Sequence, residues 1–355
     1  MPLKVIQWST GNVGGYALRA IINHPELELV GVVVHSKSKA GKDAAELCGL
    51  EQTTGIIATT NYESLLAQGA DCVCYTAGAE TRMFEAVEDM AKILETGINV
   101  VSSSMVMLVY PECPIPEFVD PLKAACEKGQ SSFLTSGIDP GFANDTMPLV
   151  FSGLCEHWQS IRMQEIVNYA TYEQAGTVME VMGFGKLMEH TPYLLEPGIL
   201  SMAWGGTIRA VAAGVGLELD DIQERYERLP AHRDIETTMG TIEKGSCGAL
   251  RFEVMGIVDG KEAIVLEHVT RMCDDIAPDW PQGKGYRAII EGEPRMEITM
   301  DMEDCNGDHA VGGVIQTATR LINAIPAVVA HKPGMMSALD LPLITGKGLY
   351  RPMAS

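Results

Sequence analysis

The N-terminus constrains this chain more than any other segment does. Residues 1–15 read MPLKVIQWSTGNVGG. Lys4–Trp8 is a short apolar run, Ser9–Gly14 is a loop of small residues, and Tyr16–Ile22 has helical spacing. A strand, a small-residue loop and a helix, in that order, open a doubly wound α/β domain that binds a dinucleotide. Small residues let the backbone approach a pyrophosphate, and the free N–H groups and dipole at the helix start favour its negative charge. Ser9 stands where the pattern has its first glycine, and Gly11 and Gly14 hold the second and third. Ser9, Thr10, Gly11, Asn12, Val13 and Gly14 are therefore candidate pyrophosphate contacts, and the chain reads as a nicotinamide-dependent enzyme.

The rest of the first 140 residues repeats the strand–helix alternation of a parallel sheet. Strands are expected at Leu27–His35, Gly55–Thr60, Asp71–Thr76, Asn99–Ser104 and Ser132–Ser136, with helices at Arg82–Thr96 and Glu117–Lys128. The pattern then changes. Helices are expected at Asn144–Leu154, Glu173–Met182 and Gly205–Val215, and a strand at Ser160–Tyr172. An antiparallel meander follows over Ile222–Met302, with a hairpin turn at Asp259-Gly260-Lys261. A last helix is expected over Val311–Val329, kinked or ended by Pro326. The fold class is α/β: a Rossmann domain over 1–140, an α+β substrate and dimerisation domain over 141–310, and a C-terminal helix and tail over 311–355 returning to the first domain.

With 47 acidic against 26 basic residues, the formal net charge is −21. Phosphate polymers and anionic membranes need clustered Lys and Arg, so nucleic acid and membrane partners are not expected. No signal-peptide pattern or apolar stretch of spanning length is read, which points to the cytoplasm. The 9 cysteines are scattered with no CxxC pair, which reads as reduced core cysteines and no metal.

The corner after the second strand decides between coenzymes. It reads His35-Ser36-Lys37-Ser38-Lys39, with no carboxylate to take the ribose hydroxyls. His35, Ser36, Lys37 and Lys39 offer donors and positive charge to a 2′-phosphate. NADP(H) is the preferred coenzyme on this reading, with NAD(H) possible.

Three segments carry a family resemblance beyond the glycine loop: GIDPGFANDTMP at Gly137–Pro148, NAIPAVVAHKPGMMSALDLPL at Asn323–Leu343, and the Val30–Val34 and Gly41–Asp43 spacing. With the N-terminal STGNVG they resemble the native amine dehydrogenase and 2,4-diaminopentanoate dehydrogenase group, related in fold to dihydrodipicolinate reductase. The resemblance implies a dimeric two-domain NAD(P)H enzyme. Its reaction is reversible hydride transfer to the carbon of a C=N formed from a carbonyl compound and ammonia. It implies that Ala77, Gly78, Ser102, Ser103 and Asn323 join the cofactor contacts, and that Asp139–Phe142 is a loop near the nicotinamide. One departure stands out. The group carries a glutamate shortly before a Tyr-Pro pair; here Tyr110-Pro111 is present and the glutamate position falls on Val106 or Met107.

Candidate acid–base residues are Asp139, Tyr169 and Tyr172. A phenol can donate to a carbonyl oxygen, and a carboxylate can act on an amine or hold its loop. Met105, Met107, Phe142, Met179 and His190 are candidate substrate contacts, the methionines because they fill irregular apolar pockets. The reading is an NAD(P)H-dependent oxidoreductase acting on C=N or C=O of an apolar small molecule. The competing reading is a non-catalytic NADP(H)-binding sensor or scaffold.

Overall fold

The computed structural model describes residues 1–352. Two compact units share the chain: Met1–Gly137 with Val314 onward, and Ile138–Gly313. The first unit begins β1 (Leu3–Trp8), α1 (Asn12–Asn23), β2 (Leu27–Val33), α2 (Ala44–Leu47), α3 (Tyr62–Gln68) and β3 (Cys72–Tyr75). It continues with α4 (Met83–Glu95), β4 (Asn99–Ser102), α5 (Pro116–Gly129) and β5 (Ser132–Thr135). The second unit holds α6 (Thr146–Ser152), β6 (His157–Asn168), α7 (Ile199–Gly214), β7 (Asp221–Pro230), β8 (Ile235–Thr237) and β9 (Gly240–Ile242). Its remaining strands are β10 (Cys247–Val258), β11 (Lys261–Arg271), β12 (Gly285–Glu293) and β13 (Met296–Met300). The chain then returns through α8 (His309–Ala330) to β14 (Gly334–Met336).

The first sheet is parallel throughout, in the order β14-β5-β4-β3-β1-β2. Its strands are short, and β3 and β5 are buried along their whole length, as expected when both faces of a sheet are covered. The segment Gly55–Thr60 is not a strand. It makes only isolated bridges, Val33 with Thr59 and Asp43 with Ile57. The Asp43 carboxylate accepts the N–H groups of Ala45, Thr54 and Gly55, and this local bonding bends the segment away from a ladder.

Pro326 does not end α8, which runs on to Ala330. Leu321, Ile322, Ile325 and Val328 are buried in the core of the first unit on both sides of the proline. Tertiary packing there outweighs the lost backbone hydrogen bond. By length and composition α8 also meets the requirement for a membrane-spanning helix, yet this apolar face is core.

Three expected elements of the second unit differ in extent. The helix at Asn144–Leu154 shortens to α6, and that at Glu173–Met182 is a π-helical turn over Gly176–Val181. The helix expected from Gly205 starts at Ile199, because Glu224 of β7 accepts the N–H groups of Gly198 and Ser201, each at 2.7 Å. A carboxylate from a distant strand thus does the work of an N-cap.

The second sheet has the order β13-β12-β6-β11-β10-β7. It is not a pure meander: β6 inserts between β12 and β11 and runs parallel to β11. The β10–β11 hairpin turns at Asp259 and Gly260, with φ of +49° and +70°, the twist that a tight two-residue hairpin requires. Register aligns Phe252 of β10, His268 of β11, Glu165 of β6 and Tyr286 of β12 in one transverse row. The neighbouring row, Arg225, Glu253, Glu267, Gln164 and Arg287, points to the opposite face because side chains alternate along each strand. That outer row is an ion-pair lattice. Arg162 contacts Glu253 and Glu267, Arg251 meets Glu267 at 2.7 Å, and Arg225 spans Glu253 and Glu262.

Candidate functional site

The first unit presents a dinucleotide cradle. Ser9 adopts φ +76°, the left-handed conformation that glycine takes without strain. Gln7 Nε2 donates to the Ser9 carbonyl at 2.8 Å and to Thr76 Oγ1 at 2.8 Å, which holds the turn. Gly11 caps α1 without any side-chain cap, and the first turn carries no acidic residue. A Cβ at Gly14 would lie 2.5 Å from the Ser9 carbonyl oxygen and 2.7 Å from Thr76 Oγ1, so only glycine permits this approach. Uncapped N–H groups, a positive helix end and a first turn without acidic residues fit a pyrophosphate.

Around this loop, Lys39 Nζ donates to the Thr10 carbonyl at 2.7 Å and to Thr10 Oγ1 at 3.2 Å. Lys39 therefore shapes the loop itself. His35, Ser36 and Lys37 are exposed at the corner. Ala77 and Ser102 are buried and Ser103 half-buried; Gly78 is exposed. Ser104 Oγ bonds the Ala77 carbonyl and ties the β3 and β4 ends together. Asn323 is elsewhere. It hydrogen-bonds His24, the C-cap of α1. A helix of 12 residues puts that point about 18 Å from the phosphate-binding end. The cofactor role assigned to Asn323 is thus corrected: it packs the far end of the helix.

The second unit brings Asp139 and Tyr169 together with three residues that the sequence reading did not single out. His268 Nε2 lies 2.7 Å from Asp139 Oδ2, and His268 Nδ1 lies 3.4 Å from Glu165 Oε1. Tyr169 and Tyr286 donate to the two Glu165 oxygens at 3.0 and 2.9 Å. The side chains of Asp139, Glu165 and His268 are 1%, 7% and 7% exposed. Phe252 stacks on the imidazole with ring centroids 4.6 Å apart, and Trp204 of α7 meets it edge-on at 4.9 Å. Tyr172 stacks on Tyr169 with centroids 4.6 Å apart. Phe142 packs against the small cluster that includes Tyr286.

Asp139 Oδ2 is held by His268 Nε2 in a close ion pair, while Asp139 Oδ1 is buried with no protein partner. Trp204 Nε1, Thr207 Oγ1 and Thr270 Oγ1 are buried without a protein partner as well. Buried polar atoms are nearly always paired with something, so the Asp139 and Trp204 atoms beside His268 suit a polar ligand. Asp139, Glu165 and His268 also stand close enough to hold a metal ion. The two tyrosines, however, occupy both Glu165 oxygens, which leaves fewer donors than a metal site uses.

Charge decides the chemistry of this row. Burial raises the pKa of Glu165, and Asp139 raises it further against the opposing pull of His268. Burial alone would lower His268, but Asp139 and Glu165 outweigh it and raise the imidazole above its ordinary 6.5. Burial pushes Tyr169 and Tyr286 far up, which keeps both phenols as donors. Glu165, His268 and the two phenols thus each hold a proton more tightly than in water.

The comparisons with known proteins follow from both units. Residues 142–349 match the 2,4-diaminopentanoate dehydrogenase C-terminal domain family. Residues 5–102 match the dihydrodipicolinate reductase N-terminus. The chain is 42% identical over 347 residues to an amine dehydrogenase of Streptomyces virginiae, covering 96% of each chain. The chain belongs to the amine dehydrogenase and 2,4-diaminopentanoate dehydrogenase family. To the 2,4-diaminopentanoate dehydrogenase of Acetoanaerobium sticklandii it is 25% identical, over 96% of this chain and 94% of that one. The amine dehydrogenase structure from Mycobacterium smegmatis shares its fold with a TM-score of 0.82 at 19% identity, covering 99% and 98% of the two chains. Like its family, this oxidoreductase uses a nicotinamide dinucleotide.

His190 is exposed, and its carbonyl accepts from Arg228 Nη1 at 2.7 Å. Met105 and Met107 are buried in the first unit, and Met179 packs on the core of the second. His268, Glu165 and Tyr286 left a faint signal in the sequence. Along β6 and β11 the inward positions read Ile161, Met163, Glu165 and Ile264, Leu266, His268. Charged groups interrupt an apolar parity, and that interruption marks them.

Two outcomes follow. Gly14→Ala should lose at least about tenfold in affinity for both coenzymes through loop displacement, measured by fluorescence titration; unchanged affinity would contradict the cradle. NMR titration of His268 should give a pKa above 6.5, lowered in Asp139→Asn. Because the folded pKa is raised, its stabilisation is complete at acid pH and disappears as pH rises through the folded value. A titration midpoint at or below the ordinary value would contradict the ion pair.

Proposed function

We propose that this oxidoreductase catalyses reversible reductive amination of an apolar ketone or aldehyde, and that the Asp139–His268–Glu165 row handles the nitrogen and its protons. One observation carries the reading: two buried carboxylates flank one imidazole, and Asp139 Oδ1 has no protein partner. With the imidazole charged and both carboxylates ionised the row carries one excess negative charge, and a bare buried charge is costly. An ammonium or amine cation neutralises it. The row thereby replaces the glutamate that is absent at Val106 and Met107.

The chain's own groups account for each proton. Ammonium donates to Asp139 and gives one proton to the row, which frees the nitrogen lone pair to attack the carbonyl carbon. The row delivers two protons to the departing oxygen, the one taken from ammonium and a second taken from the nitrogen after it has attacked, and the oxygen leaves as water. Reduced nicotinamide, when bound, supplies the hydride that the resulting C=N carbon accepts. Tyr169 and Tyr286 keep Glu165 oriented, and Phe252 and Trp204 keep water from the imidazole. Ketone, ammonium and reduced coenzyme give amine, oxidised coenzyme and water, with atoms and charge balanced.

The test is coenzyme oxidation on a panel of apolar ketones with and without ammonium. Turnover should require ammonium, and Asp139→Asn should lower kcat/KM for the amine by ~10²–10⁴-fold. Ketone reduction that proceeds equally without ammonium, or is indifferent to Asp139→Asn, would replace amination with carbonyl reduction.

We infer NADP(H) as the preferred coenzyme from the exposed Ser36-Lys37 corner. Lys37→Ala should raise KM for NADPH several-fold more than for NADH, while Lys39→Ala, which loosens Thr10, should raise both. Equal effects of Lys37→Ala on the two coenzymes would overturn the preference.

A further inference from the structure

Apart from the His268 row, one other group of metal-binding side chains stands together in the second unit. His232 follows β7, and Cys273 and Asp275 follow β11; their ligand atoms all lie within 4.8 Å of one another. We propose that His232, Cys273 and Asp275 bind a zinc ion, held by one imidazole nitrogen, one thiolate sulfur and one carboxylate oxygen. This mixed nitrogen, sulfur and oxygen set suits a borderline-soft divalent cation and leaves a fourth position for water.

The backbone already brings the two segments side by side. Ala231 N–H donates to the Ser246 carbonyl at 2.7 Å, and Met272 N–H donates to the Gly248 carbonyl at 3.0 Å. Both segments are thus pinned to the start of β10. Cys273 is the inner ligand, 7% exposed. The His232 and Asp275 side chains are 47% and 58% exposed and can swing onto it. Tetrahedral zinc ligands stand ~3.3–3.8 Å apart, so closure takes a movement of about 1 Å in side chains that are free to make it. His232 Nε2 and Asp275 Oδ2 are already 3.2 Å apart.

Arg233 Nη2 sits 3.2 Å from Asp275 Oδ1. In the metal-free protein this guanidinium neutralises the carboxylate, and the metal displaces it. Cys273 and Asp275 also line a surface hollow of about 510 Å³ with Asp234, Glu236 and Asp274, whose charge concentrates cations there. On binding, the thiol proton passes to solvent as the Zn–S bond forms. The metal clasps the end of β7 to the loop that follows β11. No spacing motif marks this site, because its ligands come from strand ends far apart in sequence.

Cobalt(II) serves as the spectroscopic probe for zinc. Titrating chelator-treated full-length protein should produce a thiolate-to-cobalt charge-transfer band saturating at one equivalent and bleached by zinc. Cys273→Ser should abolish the band, whereas Cys305→Ser, at an exposed cysteine, should retain it. His232→Ala, at a half-exposed side chain, should weaken cobalt by about tenfold or more with circular dichroism unchanged, and Arg233→Gln should tighten it. Zinc should also raise the melting temperature of the wild-type protein but not of His232→Ala. No saturating band, a band that survives Cys273→Ser, or affinity indifferent to His232→Ala would each overturn the site. None of these readouts involves turnover.

Discussion

One carboxylate and one imidazole buried side by side in a row of the sheet, with a second carboxylate, Asp139 of the turn before α6, set against the imidazole, impose the constraint on which the second unit's chemistry rests. A lone ion in that position would neutralise itself, because desolvation exceeds any gain from dispersion. Here the sheet register sets the spacing of Glu165 and His268. His268 and Glu165 are cross-strand partners, as are Glu165 and Tyr286. Their separations follow from strand pairing, which side-chain motion cannot relax. Phe252, next in the same row, and Trp204 from α7 cover the imidazole. The cluster is buried and one negative charge in excess when fully ionised, so it takes up a proton or a cation.

The pleat gives the same strands a second role on their other face. One residue along, Glu253 and Glu267 are 4% and 1% exposed in their side chains, yet each meets arginines. Positive charge balances negative within that lattice, and neither carboxylate is left without a partner. The two faces therefore differ in kind. The outer face is electrostatically closed, while on the inner face Asp139 Oδ1 keeps no protein partner. This contrast separates a structural ion-pair network from a site poised for chemistry.

The first unit was largely legible from the sequence because its signals are local. The β1–loop–α1 start, the α4 and α5 helices and the Asp259-Gly260 hairpin in the second unit all follow from short-range pattern. The misses have non-local causes. Asp43 draws Gly55–Thr60 out of the sheet, Glu224 extends α7, and core packing carries α8 through Pro326. The site was half legible. Asp139 and Tyr169 were nominated for their chemistry, but their partners depend on β6 entering the sheet parallel to β11. No spacing in the chain encodes that pairing. Asn323 misled because a C-terminal segment contacts α1 at the end away from the phosphate loop.

Binding of a primary ammonium that lacks an α-hydrogen, such as tert-butylammonium, tests the central claim most directly, because such a ligand reports cation recognition without turnover. Calorimetry in the presence of oxidised coenzyme should show saturable binding to the wild-type protein and at least about tenfold weaker binding to Asp139→Asn, in which one of two buried carboxylates is neutralised. Equal affinity for both proteins would show that the buried row does not hold the nitrogen.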